Sequence, residues 1–510
     1  MRGLPRMHLP ARQRGAVLLI MLALVSVMFI YVVVAGLNRS AADMAQARAQ
    51  KTAAALAQAK EALIAFAVTY ADDPSHTADL VPGFLPCPEL VATASNEGVA
   101  ASTCGSRLVS QIGRLPWRTL ALDALRDGWG ECLWYAVSGT YKNNPNGVTT
   151  NAATSNMMNW DNNGQFEVMA ADGATYLTGA AADNRAVAVI FAPGSALGGQ
   201  NRTPVANSKA CRGNYSAAAY LETAAGYNNS VVSATANAIT TFIAGDSSTT
   251  FNDRLVYITR ADIWNAVKKR SDFQNNLRAL TRRAAECVAM YGMNNQLGPD
   301  LADKRLPWAS PTSLTNYAVD TLYDDANSDL QGRLSFKVNT SRTSTSNQVS
   351  SGTSLFAIAP YCWYTAQELD WYEHWKDHLF YALAWSHRAV LANKPTSSPC
   401  TTCLTVNAAG SYAAVMIFAG EKLAGQSRNS LAEKGVMSNY LEGRNLSNDP
   451  NAGGNSNYEA RNPLTAAFND IIYPIDTSLP TVKCYSASSS TMVSVPAAPS
   501  WPAGPYAACP

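Results

Sequence analysis

Histidine is scarce in this chain, with five among 510 residues, and His8 stands before the first long apolar run. Histidine is the side chain most often used for general acid–base catalysis, so the residues for such chemistry are few. No serine or cysteine occurs in a recognisable nucleophile motif with a matching histidine. The formal net charge is only +2, so the composition does not indicate a nucleic-acid surface. These absences favour a structural role over an enzymatic one.

Charged residues are also absent from residues 16–37, which read AVLLIMLALVSVMFIYVVVAGL. At a rise of about 1.5 Å per residue, roughly 20 apolar residues span the hydrocarbon core of a bilayer. Four arginines precede this run and Arg39 alone follows it closely, which predicts a cytoplasmic N-terminus. The sequence therefore predicts one membrane-spanning helix, with the bulk of the chain carried across.

Glycine and proline are missing from residues 38–72, a stretch rich in Ala, Gln, Lys and Arg. Such residues are good helix formers. Apolar residues recur there at steps of three and four, from Leu56 to Tyr70, before Pro74 ends the pattern. We therefore expect one helix over residues 16–72, whose second half offers a narrow apolar stripe to a partner.

The basic leader that ends at Gly15, the apolar half-helix and the amphipathic continuation over residues 53–68 resemble the N-terminus of type IV pilins and type II secretion pseudopilins. The resemblance implies that a prepilin peptidase cuts between Gly15 and Ala16 and that the new N-terminus is methylated. It also implies storage in the inner membrane, with the bulk periplasmic, and later assembly with other pilins or pseudopilins into a filament at the cell surface. A plain signal anchor is the alternative.

One position departs from that family. Most major pilins carry a glutamate as the fifth mature residue, and here that position is Ile20. A carboxylate in lipid is costly and is normally retained for a partner, which in the family is the terminal amine of a neighbouring subunit. Large minor pseudopilins at the filament tip also lack this acid. The resemblance therefore implies a minor, tip-proximal subunit, for which adhesion is a suitable role.

All ten cysteines follow the apolar run, and an even number in an exported segment predicts disulfides. Their connectivity stays open, although the family's C-terminal disulfide implies pairing of Cys484 with Cys509. Cys400 and Cys403 could form a local bridge, half of a zinc site or a redox pair. The ten positions are Cys87, Cys104, Cys132, Cys211, Cys287, Cys362, Cys400, Cys403, Cys484 and Cys509.

Short motifs of the first half of the chain occur again, in the same order, in the second half. Leu-Pro-Trp occurs at 115–117 and 306–308, Tyr-Leu-Glu at 220–222 and 440–442, and Phe-Asn-Asp at 251–253 and 468–470. Such self-similarity predicts an internal duplication. The expected fold class is α+β: a long pilin-like helix followed by two related lobes with antiparallel sheets. The expected boundaries are a leader 1–15, a helix 16–72, a first lobe 73–260 and a second lobe 261–510 with its own helix 262–291.

Two groups of residues have the composition of metal sites. His374 and His378 stand one helical turn apart, but the order Glu-His is not that of a metallopeptidase helix, and two histidines on the polar face of an aromatic-rich helix is the simpler interpretation. Asp161, Asn163 and Glu167 offer oxygens around a glycine turn, as calcium requires, and some large minor pseudopilins bind calcium. The acids are too few for a complete calcium loop, so an ordinary turn is the simpler interpretation.

We therefore expect a non-enzymatic filament subunit without a cofactor, calcium being the one candidate ion. Two alternatives remain open. One is a binding protein that stays anchored in the membrane, and the other is a metal-dependent hydrolase centred on His374 and His378.

Overall fold

The computed structural model describes most of the chain. Within the first long helix, side chains are described at Ser26, at Met28 and from residue 42 onward. The described residues are 12–76, 79–91, 96–142, 157–293, 306–317, 319, 322–325, 329–335, 337–338, 353–354, 366–388, 403–447, 456–461, 464–465 and 467–495. We call residues 12–259 the first half and residues 260–495 the second half.

Six α-helices occur in these residues, and the five after the first are at most 23 residues long. They are α1 (Arg12–Thr69), α2 (Arg260–Val267), α3 (Ser271–Met293), α4 (Ala366–Trp375), α5 (Leu431–Lys434) and α6 (Gly443–Ser447).

Between residues 12 and 259, the strands that the structure describes form a seven-stranded sheet and a small hairpin. They are β1 (Gln111–Arg114), β2 (Trp134–Val137), β3 (Phe166–Ala170), β4 (Tyr176–Thr178), β5 (Ala186–Ala192), β6 (Thr223–Ala224), β7 (Tyr227–Asn228), β8 (Thr240–Ala244) and β9 (Arg254–Thr259). The large sheet has the order β1-β2-β5-β3-β4, with β9 antiparallel to β5 and β8 parallel to β3.

The described strands of the second half form a six-stranded sheet and two small hairpins. They are β10 (Gln331–Arg333), β11 (Lys337–Val338), β12 (Thr353–Ser354), β13 (Leu379–Leu383), β14 (Leu404–Val406), β15 (Ala409–Phe418), β16 (Asn457–Tyr458), β17 (Ile471–Asp476), β18 (Lys483–Ser486) and β19 (Thr491–Ser494). The large sheet has the order β10-β13-β15-β14-β16, with β17 antiparallel to β15 and β16 parallel to β14.

Strand β5 shows why the central strands are continuous apolar runs. All seven of its residues are buried, because both faces of the sheet are covered. Ile190 faces the core that contains the helices, whereas Val189 and Phe191 face a second cluster on the other side. The continuous apolar run of residues 186–192 predicts a buried strand, and the structure confirms it. Strand β15 is buried in the same way from Tyr412 onward.

One apolar core joins the two halves. It contains Leu63 of α1 and Ile190 of the first sheet together with Leu280 of α3, Trp375 of α4 and Tyr473 of the second sheet. Helix α1 contacts β5 and β9, and α3 contacts β15 and β17. The helices therefore pack on both sheets through a shared core instead of two separate ones.

The stretch predicted as a single helix over residues 262–291 is two helices, α2 and α3. Thr259 caps α2, since its hydroxyl accepts from the Asp262 amide while the Asp262 carboxylate accepts from the Thr259 amide. Between the helices, the Arg270 guanidinium bonds the carboxylates of Asp72 and Asp272 at 2.6 Å each. These charge-assisted bonds fix the segment between α2 and α3 beside the end of α1.

The pilin-like fold class predicted from the sequence is wrong for the described part of the chain. The prediction was one long helix followed by two related lobes with antiparallel sheets. Instead, each large sheet is mixed, because β8 and β16 each pair parallel to a neighbour. The helices of both halves also share one core, so neither half is a separate lobe. Strand pairing depends on contacts distant in sequence, which local periodicity does not encode.

The single-pass inner-membrane location, with the bulk of the chain periplasmic, is also contradicted. Among the residues that the structure describes, no helix is long and apolar enough to cross a membrane. From residue 42 onward, α1 is rich in Ala, Gln and charged side chains. The apolar run 16–37 is part of the α1 backbone. Apart from Ser26 and Met28, its side chains lie outside the described residues.

Disulfide bonding is confirmed. Cys87 is bonded to Cys104, and Cys132 is bonded to Cys211. No described cysteine is free, since three others are disulfide-bonded too: Cys287, Cys403 and Cys484. The two predicted pairs stay predictions, because Cys400 and Cys509 lie outside the described residues, as does Cys362.

Candidate functional site

Helix α1 extends beyond the folded body. Residues 42–51 are all exposed, whereas Thr52 is buried and begins the contact of α1 with the core. Ten exposed residues make almost three helical turns without a covered face. Such a segment gains little stability from burial, and an isolated helix is marginal in water. The exposed part of α1 therefore presents an uncovered helical surface of ten residues.

A glycine turn of the first half holds α1 where it enters the body. The Gly128 amide donates to Thr52 Oγ1 at 2.9 Å. A Cβ atom at Gly128 would lie 2.4 Å from the Arg48 carbonyl oxygen, a distance that real Cβ atoms do not show. The Arg48 guanidinium also lies over the Trp129 ring, 5.8 Å from its centroid. This close approach fixes the direction in which α1 leaves the body.

The residues predicted for processing and assembly lie on this helix. Gly15, Ala16 and Ile20 are part of the backbone of α1, and their side chains lie outside the described residues. Cleavage after Gly15 stays a prediction, as does the role of Ile20.

His374 connects α4 to loops of the first half. Its Nδ1 accepts from the Met158 amide at 3.0 Å, so the ring proton is on Nε2, which lies 3.3 Å from Asp79 Oδ1. The carbonyl of His374 accepts from Asn159 Nδ2 at 2.8 Å. The imidazole is buried, and both nitrogens face protein partners, so its contacts are those of a bridge between the halves.

His378 belongs to a buried ion cluster. Its Nδ1 lies 2.8 Å from the Ala419 carbonyl oxygen, and its Nε2 lies 3.1 Å from Asp161 Oδ2. Arg428 Nη1 donates to the same Asp161 oxygen at 3.1 Å. His374 and His378 therefore lie beside different carboxylates. No group of three or more metal-binding side chains occurs in the described residues.

Both carboxylates of the central cluster stay ionised. Burial alone would raise the pKa of Asp161, but Arg428 and His378 outweigh it and hold that pKa well below its usual range. Asp377 is buried beside Arg333, 3.1 Å from its Nη1, and its pKa is lowered for the same reason. Burial lowers the pKa of His378, although the nearby Asp161 carboxylate opposes that shift.

The three oxygens of the predicted calcium turn point to different partners. Asp161 faces the ion cluster, whereas Asn163 Oδ1 accepts from Arg260 Nη1 at 2.8 Å. Glu167 Oε2 accepts from Thr241 Oγ1 at 3.0 Å, on the neighbouring strand. The three side chains do not converge, so the turn shows no ligand set for calcium.

A buried acid pair stabilises the outer loops of the first half. Gln200 Nε2 donates to Glu222 Oε1 at 2.6 Å, and the Glu222 amide donates to Asp253 Oδ2 at 2.9 Å. Asn229 Nδ2 donates to the same Asp253 oxygen at 3.0 Å. Burial and the neighbouring Glu222 raise the pKa of Asp253 well above its usual value.

The second half has the same network at the matching positions. Gln426 Nε2 donates to Glu442 Oε1 at 3.2 Å, and the Glu442 amide donates to Asp470 Oδ2 at 3.2 Å. Asn445 Nδ2 donates to Asp470 Oδ2 at 2.9 Å. Burial and Glu442 likewise raise the pKa of Asp470 well above its usual value. Equivalent residues therefore make equivalent bonds in the two halves.

The halves differ at one repeated arginine. Arg202 pairs with Glu131 of its own half, with Nη1 and Oε1 3.2 Å apart. Its counterpart Arg428 instead reaches Asp161 of the other half. The arginine at this repeated position thus forms an ion pair within its own half in the first half, and an ion pair between the two halves in the second.

A central cleft of about 330 Å³ opens beside this bridge. Residues of both halves line it, among them Asp161, Asn162, Asn163, Arg185, Tyr317, Asn429 and Lys434. Sequence reasoning identified Asp161 and Asn163 but not the cations around them. Gly-Gln-x-Arg occurs at 199–202 and again at 425–428, so Arg428 was within reach, whereas no sequence signal distinguishes Lys434.

Comparisons with models of protein families, with curated proteins and with solved structures found no match to this chain.

Proposed function

We propose that this chain is a non-enzymatic, minor subunit of a type IV pilus or type II secretion filament. Cleavage between Gly15 and Ala16 releases the mature chain, and α1 then assembles with the helices of other pilins or pseudopilins. The body remains at or near the filament tip.

The exposed part of α1 carries this proposal. Residues 42–51 contribute no buried side chain to the body, although the helix continues through them. Met44 is 55% exposed there, an apolar side chain that burial against a neighbouring helix would stabilise. The leader and helix resemble those of pilins, which supports other pilins or pseudopilins as the partners. Ile20 stands where major pilins carry an acid, which supports a minor, tip-proximal position.

The test compares Met44→Glu with Val231→Glu in cells that produce the protein. The two side chains are equally exposed, at 55% and 54%, but Val231 lies on the body. A carboxylate placed in a helix–helix interface is costly to bury, so we expect Met44→Glu to reduce the amount in the sheared filament fraction by about tenfold. Val231→Glu should assemble like the wild type, and both purified variants should keep the wild-type unfolding temperature.

The same filament fraction tests processing and position. N-terminal sequencing should give a methylated chain that starts at Ala16, and labelling should place the protein at filament ends. An intact Met1 start, equal incorporation of the two variants, or labelling along the whole shaft would contradict the proposal.

A further inference from the structure

The central cleft contains a buried ammonium group without a matched partner. Lys434 is only 8% exposed, and it lines the cleft. The one hydrogen-bond contact of its Nζ among the described residues is Met157 Sδ at 4.0 Å, and the same atom lies 5.3 Å from the centroid of the Tyr317 ring. Sulfur is a weak acceptor and an aromatic face only partly replaces water, so the ammonium is poorly compensated.

The surrounding charges are already paired. Asp161 is bonded by Arg428, and Asp377 is bonded by Arg333, each at 3.1 Å. Each arginine thus balances one carboxylate of the cluster, and Lys434 adds a positive charge to a neutral set. Burial lowers the pKa of Lys434, while Asp377 and Asp161 oppose that shift. An arriving anion would remove this imbalance.

The other walls of the cleft suit a small ligand with a short apolar part. Asn162, Asn163 and Asn429 supply amide groups, whereas Met157, Ile239 and Leu431 supply apolar surface. A volume of about 330 Å³ lies at the lower end of the range for small-molecule sites. A few polar groups that fix orientation beside apolar surface are typical of such sites.

We propose that the central cleft binds a small organic monocarboxylate, with the Lys434 ammonium as the counter-charge of its carboxylate. One excess positive charge matches one negative charge. A phosphate group carries about −1.5 to −2 at neutral pH and would leave the buried cluster negative. The inference is independent of filament assembly, because the cleft lies between the two halves of the body.

Butyrate tests the proposal, with n-butanol as the neutral molecule of the same length and sodium chloride as the ionic control. We expect calorimetric titration of the full chain to give one butyrate site with a dissociation constant of about 1 mM. Butanol, chloride and inorganic phosphate at equal concentrations should bind at least about tenfold more weakly.

Lys434→Met and Lys434→Gln locate the site. Either substitution removes the charge but leaves the backbone carbonyl that accepts from Arg333 Nη2, and both variants should keep the wild-type unfolding profile. Butyrate affinity should fall by about tenfold or more in both. The control Lys483→Met, at a partly exposed strand position, should bind like the wild type.

Absence of butyrate binding to the wild type, or unchanged binding by the two Lys434 variants, would overturn the proposal. Tighter binding of phosphate than of butyrate would also overturn it, because the single-charge match would then be wrong.

Discussion

The carboxyl group of Asp253 illustrates how burial converts an ordinary acid into a neutral hydrogen-bonding group. One of its oxygens accepts from the Glu222 amide and from Asn229 Nδ2, whereas its Oδ1 makes no hydrogen bond among the described residues. Two carboxylates cannot both ionise cheaply in a buried site. Burial beside Glu222 therefore favours the protonated form of Asp253.

Asp253→Asn should change the pH dependence of stability. The pKa of Asp253 is higher in the folded than in the unfolded chain, so its contribution is present below about pH 4 and is lost as the pH rises through the folded-state value. Asparagine imitates the protonated acid at every pH. We expect equal stability of wild type and variant at pH 4, and a gain of about 1–3 kcal/mol for the variant at pH 8. Denaturant unfolding at the two pH values measures this.

Asp470→Asn should behave like Asp253→Asn, because the second half repeats the network. The exposed Asp246 provides the control, and Asp246→Asn should shift stability by less than about 0.5 kcal/mol at either pH. The opposite result would be a stability difference, variant minus wild type, that is lower at pH 8 than at pH 4. That result would mean that the acid is ionised in the folded chain.

Single residues were the part of the site that the sequence predicted least well. The spacing of His374 and His378 was visible and left a shared metal as the less simple interpretation, and the side chains lie beside different carboxylates, Asp79 and Asp161. Those partners stand more than two hundred residues away in sequence. No local pattern connects them, so the bridge between the halves became apparent only in the fold.

At the scale of elements, the contact between α1 and the turn at Gly128 decides how the helix leaves the body. Gly128→Ala places a methyl group against the backbone of Arg48, where only a shift of α1 or of the turn can make room. We expect a loss of about 1–3 kcal/mol in stability. Hydrogen exchange should become faster in residues 48–60 by a larger factor than in β15.

Gly198→Ala is the matched control for this prediction. A Cβ at Gly198 has no atom within 4 Å, so this variant should be within about 0.5 kcal/mol of the wild type. Equal exchange of residues 48–60 in both variants would show that the turn does not hold α1.

Local pattern did predict several elements correctly. The apolar run of β5 was recognisable because a strand buried on both faces needs no alternation. The helical stripe over 262–291 was visible too, but the break at Arg270 was not, since it depends on a bond to Asp72, three residues after the end of α1. The parallel pairing of β8 with β3 was equally hidden, because it joins strands seventy residues apart.

At the scale of the whole molecule, the shared core makes the two halves dependent on each other. Leu63 and Ile190 pack in the same cluster as Leu280, Trp375 and Tyr473. The sequence repeat suggested two related lobes, because duplication preserves local motifs without showing how the copies pack. The described body instead has a continuous interior, crossed by the pairs His374–Asp79 and Arg428–Asp161.

Asp161→Asn should therefore weaken both halves together. The substitution leaves Arg428 and His378 facing a neutral amide in a buried site, and breaking such a pair typically costs about 3–5 kcal/mol. We expect amide exchange in β5 and in β15 to accelerate by the same factor, because both strands open in one cooperative event. The exposed Asp123 supplies the control, and Asp123→Asn should leave the exchange rates of both β5 and β15 unchanged. Faster exchange in β5 alone would mean that the halves open independently and that the ion cluster is a local feature of the first half.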